Sequence, residues 1–149
     1  MANTDLQKER SERIYKVFNE LNANTMDILD NFYDENLVFI DPVGKLKGLE
    51  AMKAYYANMY QNVQEIRFDF TNEVVNGDTH VVIWVMYLKA EGLKGGDEVV
   101  LEGNSHIVFS EASNKVIFHR DYFDMGAFIY EHIPILGTII KKIRQRFEH

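Results

Sequence analysis

The sequence predicts an α+β fold, with N-terminal helices followed by a strongly curved, mostly antiparallel sheet. Three observations predict it. Apolar residues recur at helical spacing up to about Val63, the period changes to two from Ile66 onward, and turn-forming clusters divide the second half into long neighbouring strands.

Taken in order, Ile14, Val17, Phe18 and Leu21 form the apolar side of a first helix that ends near Asn22-Ala23-Asn24. A shorter helix follows, capped by Asn24 or Thr25, with Ile28, Leu29, Phe32 and Tyr33 on its buried side before Asp34-Glu35-Asn36 turns the chain. Leu37 to Ile40 is a short strand. Asp41-Pro42 stops it, because proline lacks the N–H that a ladder needs and holds its predecessor extended. After a turn from Gly44 to Gly48, Leu49, Met52, Tyr56, Met59 and Val63 line one side of a third helix that runs through about Asn62.

From Ile66, Phe68 and Phe70 alternate with Arg67, Asp69 and Thr71, and Asn76-Gly77-Asp78 supplies a hairpin turn. Three further strands are expected, from Thr79 to about Leu93, Glu98 to Ser110 and Lys115 to Asp124. Together they suit a bent antiparallel meander. Alternation puts His119, Asp121 and Phe123 on one face of the last strand and Phe118, Arg120 and Tyr122 on the other. The 149 residues are read as one domain, with a helical C-terminal extension over 127–147. In that extension Ile139, Ile140, Ile143 and Phe147 make an apolar stripe beside Lys141, Lys142, Arg144 and Arg146. Packing on its own domain or on a dimer mate is the expectation for this helix. A membrane partner is not expected, although the basic amphipathic pattern leaves one open.

Composition narrows the function. A net charge of −7 opposes attraction to phosphate backbones, so nucleic acid is not an expected partner. With no cysteine there is no disulfide, thiolate nucleophile or zinc-thiolate site. His80, His106, His119, His132 and His149 show no pair at metal-ligand spacing, so no metal is expected. The glycine turns match neither a phosphate loop nor a dinucleotide fingerprint, and no cofactor is expected. The polar start of the chain, without an apolar signal region, favours a cytoplasmic protein.

The helix-helix-strand-helix-sheet order, with Phe32-Tyr33, Phe39-Ile40-Asp41-Pro42-Val43-Gly44 and Lys47-Gly48, resembles the nuclear transport factor 2-like superfamily. More closely it resembles the branch that holds steroid Δ-isomerases and SnoaL-like polyketide cyclases, over about Arg13 to Phe123, which implies a cone-shaped sheet closed by the N-terminal helices around one apolar pocket. The resemblance implies that Asp41, in the Asp-Pro turn, is a general base, and that Tyr15 on the first helix holds an oxyanion. Ser105 stands on or near the strand position where the isomerases carry a protonated Asp. In some SnoaL-like cyclases the acid-base carboxylate comes from the sheet instead, which makes Asp121 a second candidate. A homodimer, paired through the outer face of the sheet, is implied in the same way; apolar residues on both faces of Val81 to Leu88 fit it.

Two functions follow. One is a cofactor-free isomerase or cyclase acting on a small apolar carbonyl compound, steroid- or polyketide-like. Asp41 or Asp121 would move the proton, Tyr15 and Ser105 or Asn104 would face the oxyanion, and Phe39, Tyr56, Trp84, Met86, Ser105, His119 and Phe123 would bind the substrate. Burial against Phe39, Trp84, Met86 and Phe123 is what would make a carboxylate basic enough. The other is a non-catalytic ligand-binding or protein-interaction domain of the same fold. In that case Asp41 caps local backbone amides, Asp121 pairs with His119 or Arg120, His119 is a satisfied polar group, and Tyr15, Tyr55 and Tyr56 are core or rim aromatics.

Overall fold

The computed structural model describes residues 4–128 and 134–148. Helix α1, Asp5–Glu20, opens on a capping box: Gln7 N donates to Thr4 Oγ1 at 3.1 Å and Thr4 N donates to Gln7 Oε1 at 2.8 Å. Ile14, Val17 and Phe18 are its buried apolar side, and Leu21 closes it with a backbone bond to Val17.

The second predicted helix is only a 3-10 turn, Met26–Asn31, and Tyr33 already belongs to strand β1, Tyr33–Ile40. The reason is tertiary. Val116 N donates to the Phe32 carbonyl at 2.8 Å and Tyr33 pairs with Val116, so the sheet claims residues that local periodicity assigns to a helix. The turn expected at Asp34-Glu35-Asn36 is replaced by strand: these residues lie inside β1, where the register with β6 shifts between Tyr33 and Val38. Asp41 to Gly44 closes a hairpin onto a three-residue strand, β2 (Lys45–Lys47), within the segment read as a plain turn. Helix α2, Leu49–Tyr60, follows and buries Met52, Tyr56 and Tyr60.

The expected meander is present as β3 (Val63–Asn76), β4 (Thr79–Ala90), β5 (Val99–Phe109) and β6 (Val116–Phe123). Its strands pair antiparallel, while β1 runs parallel to β6, giving one six-stranded, curved and unclosed sheet in the order β2-β1-β6-β5-β4-β3. Register shifts between Phe70 and Asn72 and between Val108 and Phe109 mark bulges, the device that bends long strands.

On β4 the alternation is sharp: Val82, Trp84, Met86 and Leu88 are buried, and Ile83 lies exposed on the opposite face. The rings of Phe18 from α1 and of Phe68 and Phe70 from β3 meet edge to face, with centroids 5.2 and 5.6 Å apart, and seat the helix on the concave face. Helix α3, Met125–Phe128, follows β6, and helix α4, Pro134–Gln145, ends the chain. The part of the 127–147 extension between them lies outside the described residues, as do His132 and His149.

Candidate active site

A hollow of about 560 Å³ lies between the concave face of the sheet and the helices. The sheet contributes Phe39, Phe68, Trp84, Met86, Leu101 and Phe123, α1 contributes Val17, Phe18 and Leu21, and α2 contributes Tyr55, Tyr56 and Tyr60. Two carboxylates, Asp41 and Asp121, share this apolar wall, and among the described residues no lysine, arginine or histidine lines it. A second hollow of about 530 Å³ adjoins it through Asp41, Asp121 and Phe123, and there Arg120 is part of the lining.

The geometry distinguishes the two carboxylates. Asp41 ends β1 and is held by the turn it starts: Oδ1 accepts from Val43 N at 2.8 Å and from Gly44 N at 3.1 Å, and Oδ2 accepts from the Tyr55 hydroxyl. Both oxygens are therefore engaged. Asp121 is engaged through one oxygen. Its Oδ1 accepts from Ser105 Oγ at 2.5 Å and contacts His119 Nε2 at 2.6 Å, and among the described residues no hydrogen bond reaches Oδ2.

Behind Asp121 runs a buried polar chain. Trp84 Nε1 donates to Ser105 Oγ at 2.9 Å, which leaves the serine proton for Asp121. On the other side Tyr33 Oη lies 2.6 Å from His119 Nδ1, and Tyr56 Oη lies 3.3 Å from Tyr33 Oη. A neutral imidazole with its proton on Nε2 satisfies both neighbours at once, donating to the carboxylate and accepting from Tyr33, while Tyr56 donates to Tyr33. Ser105 and His119 are fully buried. They orient Asp121 from behind and do not line the hollow.

One close approach makes this possible. Gly103 pairs with Trp84 across β4 and β5, and a Cβ on Gly103 would lie 2.3 Å from the indole ring. The missing side chain lets the indole lie flat on the strand with Nε1 aimed at Ser105, two residues along the same face.

The tyrosines of the wall are held in their protonated form. Burial, then the hydrogen bond to Asp41 and the charges of both carboxylates, push the Tyr55 hydroxyl up. Burial and the charge of Asp121 do the same for Tyr60. Tyr56 is raised well above its ordinary value, by burial and then by Tyr33 and Asp121. Tyr60 differs from the others in one respect: among the described residues its hydroxyl has no hydrogen-bond partner.

The structure thus brings together Asp41, Asp121, Phe39, Tyr56, Trp84, Met86 and Phe123 around one hollow, with Ser105 and His119 behind it. Tyr15 is not brought there. Its hydroxyl donates to Glu73, its ring meets Phe70 at 4.5 Å, and Glu73 also takes Ser11 Oγ and contacts His80 Nδ1 at 3.1 Å. The physical reason is helical phase. Val17, Phe18 and Leu21 face the hollow, which turns Tyr15 toward β3. Asn104 faces away from the hollow, one residue out of phase with Ser105. Sequence reasoning missed Tyr33, Tyr55 and Tyr60 as site residues. The available signal was the Tyr55-Tyr56…Tyr60 spacing, which places Tyr56 and Tyr60 four residues apart on one helical face.

A family model described as SnoaL-like domain matches residues 12–119. The chain belongs to the SnoaL-like family. Among solved structures, a protein named as a SnoaL-like polyketide cyclase from Jannaschia sp. CCS1 superposes with a TM-score of 0.72 at 18% identity, over 84% of this chain and 92% of that one. A protein given the same name from Shewanella denitrificans OS-217 superposes at 0.70 and 18% identity, over 81% and 92% of the two chains. A protein with a ketosteroid isomerase-like fold from Catenulispora acidiphila, in complex with trimethylamine, superposes at 0.68 and 13% identity, over 80% and 88%. At these identities the likeness establishes the fold of this SnoaL-like domain. No curated protein matches the chain.

Proposed function

We propose that this SnoaL-like protein is a cofactor-free isomerase or cyclase that moves a proton next to the carbonyl of a small, uncharged, largely apolar compound, with Asp121 as the general acid-base. The observation that carries this reading is the asymmetry of the Asp121 carboxylate. Oδ1 is fixed by Ser105 and His119, and among the described residues no donor reaches Oδ2, on a residue that lines the hollow. A base needs an open lone pair within reach of the carbon acid and a rigid mount; Asp121 has both.

In this reading Oδ2 takes the proton α to the carbonyl and returns it at the product carbon. The Tyr60 hydroxyl donates to the developing oxyanion, a role that a protonated and otherwise unpartnered phenol fills. His119, backed by Tyr33, keeps the carboxylate in place while its charge comes and goes. Asp41 serves as a second acidic wall and anchors Tyr55, since its own oxygens are occupied by Val43, Gly44 and Tyr55.

Hydrogen-deuterium exchange at the α-carbon of small ring ketones, followed by NMR, tests the assignment directly. Asp121→Asn should abolish enzyme-dependent exchange while Asp41→Asn retains most of it. Equal exchange in Asp121→Asn and the unmodified protein would overturn the reading, and loss confined to Asp41→Asn would move the base to the turn.

We also propose a homodimer formed through the outer face of the sheet. Supporting it, Ile83, Val100 and Tyr122 are exposed apolar side chains on β4, β5 and β6. Sedimentation as a monomer at micromolar concentration would remove this proposal.

A further inference from the structure

Helix α4 leaves its apolar stripe about half exposed. Ile139 and Ile143 are 50% and 49% exposed, Leu136 is exposed above them, and Phe147 just past the helix end is 77% exposed. These positions recur at intervals of three and four, so they form one continuous strip. Lys142 and Arg144 stand to either side of it, and Lys141 and Arg146 add to the same basic segment. Residues 134–148 hold four basic side chains against the single acid Glu148, in a chain whose net charge is −7. Positive charge is thus gathered on a helix whose apolar side is open.

We propose that α4 docks on the surface of an anionic lipid bilayer, lying in the plane of the interface with Leu136, Ile139, Ile143 and Phe147 among the acyl chains and the flanking lysines and arginines at the phosphate level. Charge complementarity selects this occupant over a second copy of the helix. An isologous pairing of two α4 stripes would bring the same cationic flanks face to face, whereas anionic headgroups neutralise them. No helix among the described residues is long and apolar enough to cross a membrane, so the contact is interfacial.

Co-sedimentation of the full chain with vesicles tests this, comparing phosphatidylcholine alone with equimolar phosphatidylcholine and phosphatidylglycerol. Binding is expected on the anionic vesicles, weakened by added salt, and lowered about ten-fold or more by Lys141→Glu with Lys142→Glu. Ile139→Ser with Ile143→Ser should lower it as well, with the sedimentation of the free protein unchanged. Equal binding to both vesicle types, or none to either, would overturn the proposal. So would an Ile139→Ser, Ile143→Ser variant that binds vesicles normally but changes oligomeric state, since that assigns the stripe to a second copy.

Discussion

His119 and Asp121, two residues apart on β6, face the same way and meet through Nε2 and Oδ1 at 2.6 Å. The two-residue period of a strand makes this pairing possible, and the Tyr33 hydroxyl lies 2.6 Å from Nδ1 on the far side of the imidazole.

Tyr33→Phe removes the partner of His119 Nδ1 and leaves a buried acceptor unsatisfied. The expected loss is ~1–3 kcal/mol of unfolding free energy, read from urea midpoints. The same variant should lower α-proton exchange without abolishing it, because the carboxylate remains but its orientation loosens. An unchanged midpoint would show that the imidazole finds another partner.

Gly103→Ala places a methyl group where the Trp84 ring now lies, 2.3 Å from its nearest carbon. The indole must tilt and the Trp84–Ser105 hydrogen bond must break, at a cost of about 1–3 kcal/mol. Trp84 is the single tryptophan of the chain, so its emission spectrum reports the change without a label. Wild-type emission together with wild-type stability would contradict the packing described.

Glu73 links α1 to the sheet, and its titration should be visible in stability. Burial raises its carboxyl, but the hydrogen bonds from His80, Ser11 and Tyr15 and the interaction with His80 outweigh that and hold it below its ordinary value of 4.5. A depressed carboxyl stabilises the fold fully above the unfolded-state pKa, and that contribution fades as pH falls below 4.5 toward the folded-state value. Glu73→Gln should therefore flatten the acid limb of the Tm-against-pH curve. If both proteins lose stability in parallel below that pH, Glu73 is not the group responsible.

The lining of the hollow sets a charge preference. With Asp41 and Asp121 on its wall and no cation among the described lining residues, an anionic ligand meets two carboxylates and leaves water without compensation. A neutral ring ketone should bind at least about ten-fold more tightly than its carboxylated analogue, roughly 1.4 kcal/mol. Quenching of Trp84 emission measures both. Equal or tighter binding of the carboxylated compound would show that Arg120, in the adjoining hollow, governs recognition.

Much of the fold is legible in the chain because it is written in local period and turn chemistry. Alternation along Val116 to Phe123 separates His119, Asp121 and Phe123 from Arg120 and Tyr122, as the structure has them. Asn76-Gly77-Asp78 turns between β3 and β4 as its residue types demand. Tyr33 was not legible: helical spacing in Ile28-Leu29-Phe32-Tyr33 is broken by a partner strand more than eighty residues away. Tyr15 was not legible for a related reason, since the rotation of α1 depends on which of its apolar residues pack against Phe68 and Phe70.

By itself, then, the sequence determined the succession of helices and long strands, the inward face of the last strand and the presence of two acids among aromatics, because these depend on neighbours within a few residues. Which acid keeps an open oxygen was decided only by the tertiary structure. The Asp41 carboxylate is filled by amides of its own turn and by Tyr55 from α2, while the donors to Asp121 arrive from β5 and β6 on one side alone. Hydrogen-bond saturation depends on distances between separate elements, and no periodicity along one chain encodes it.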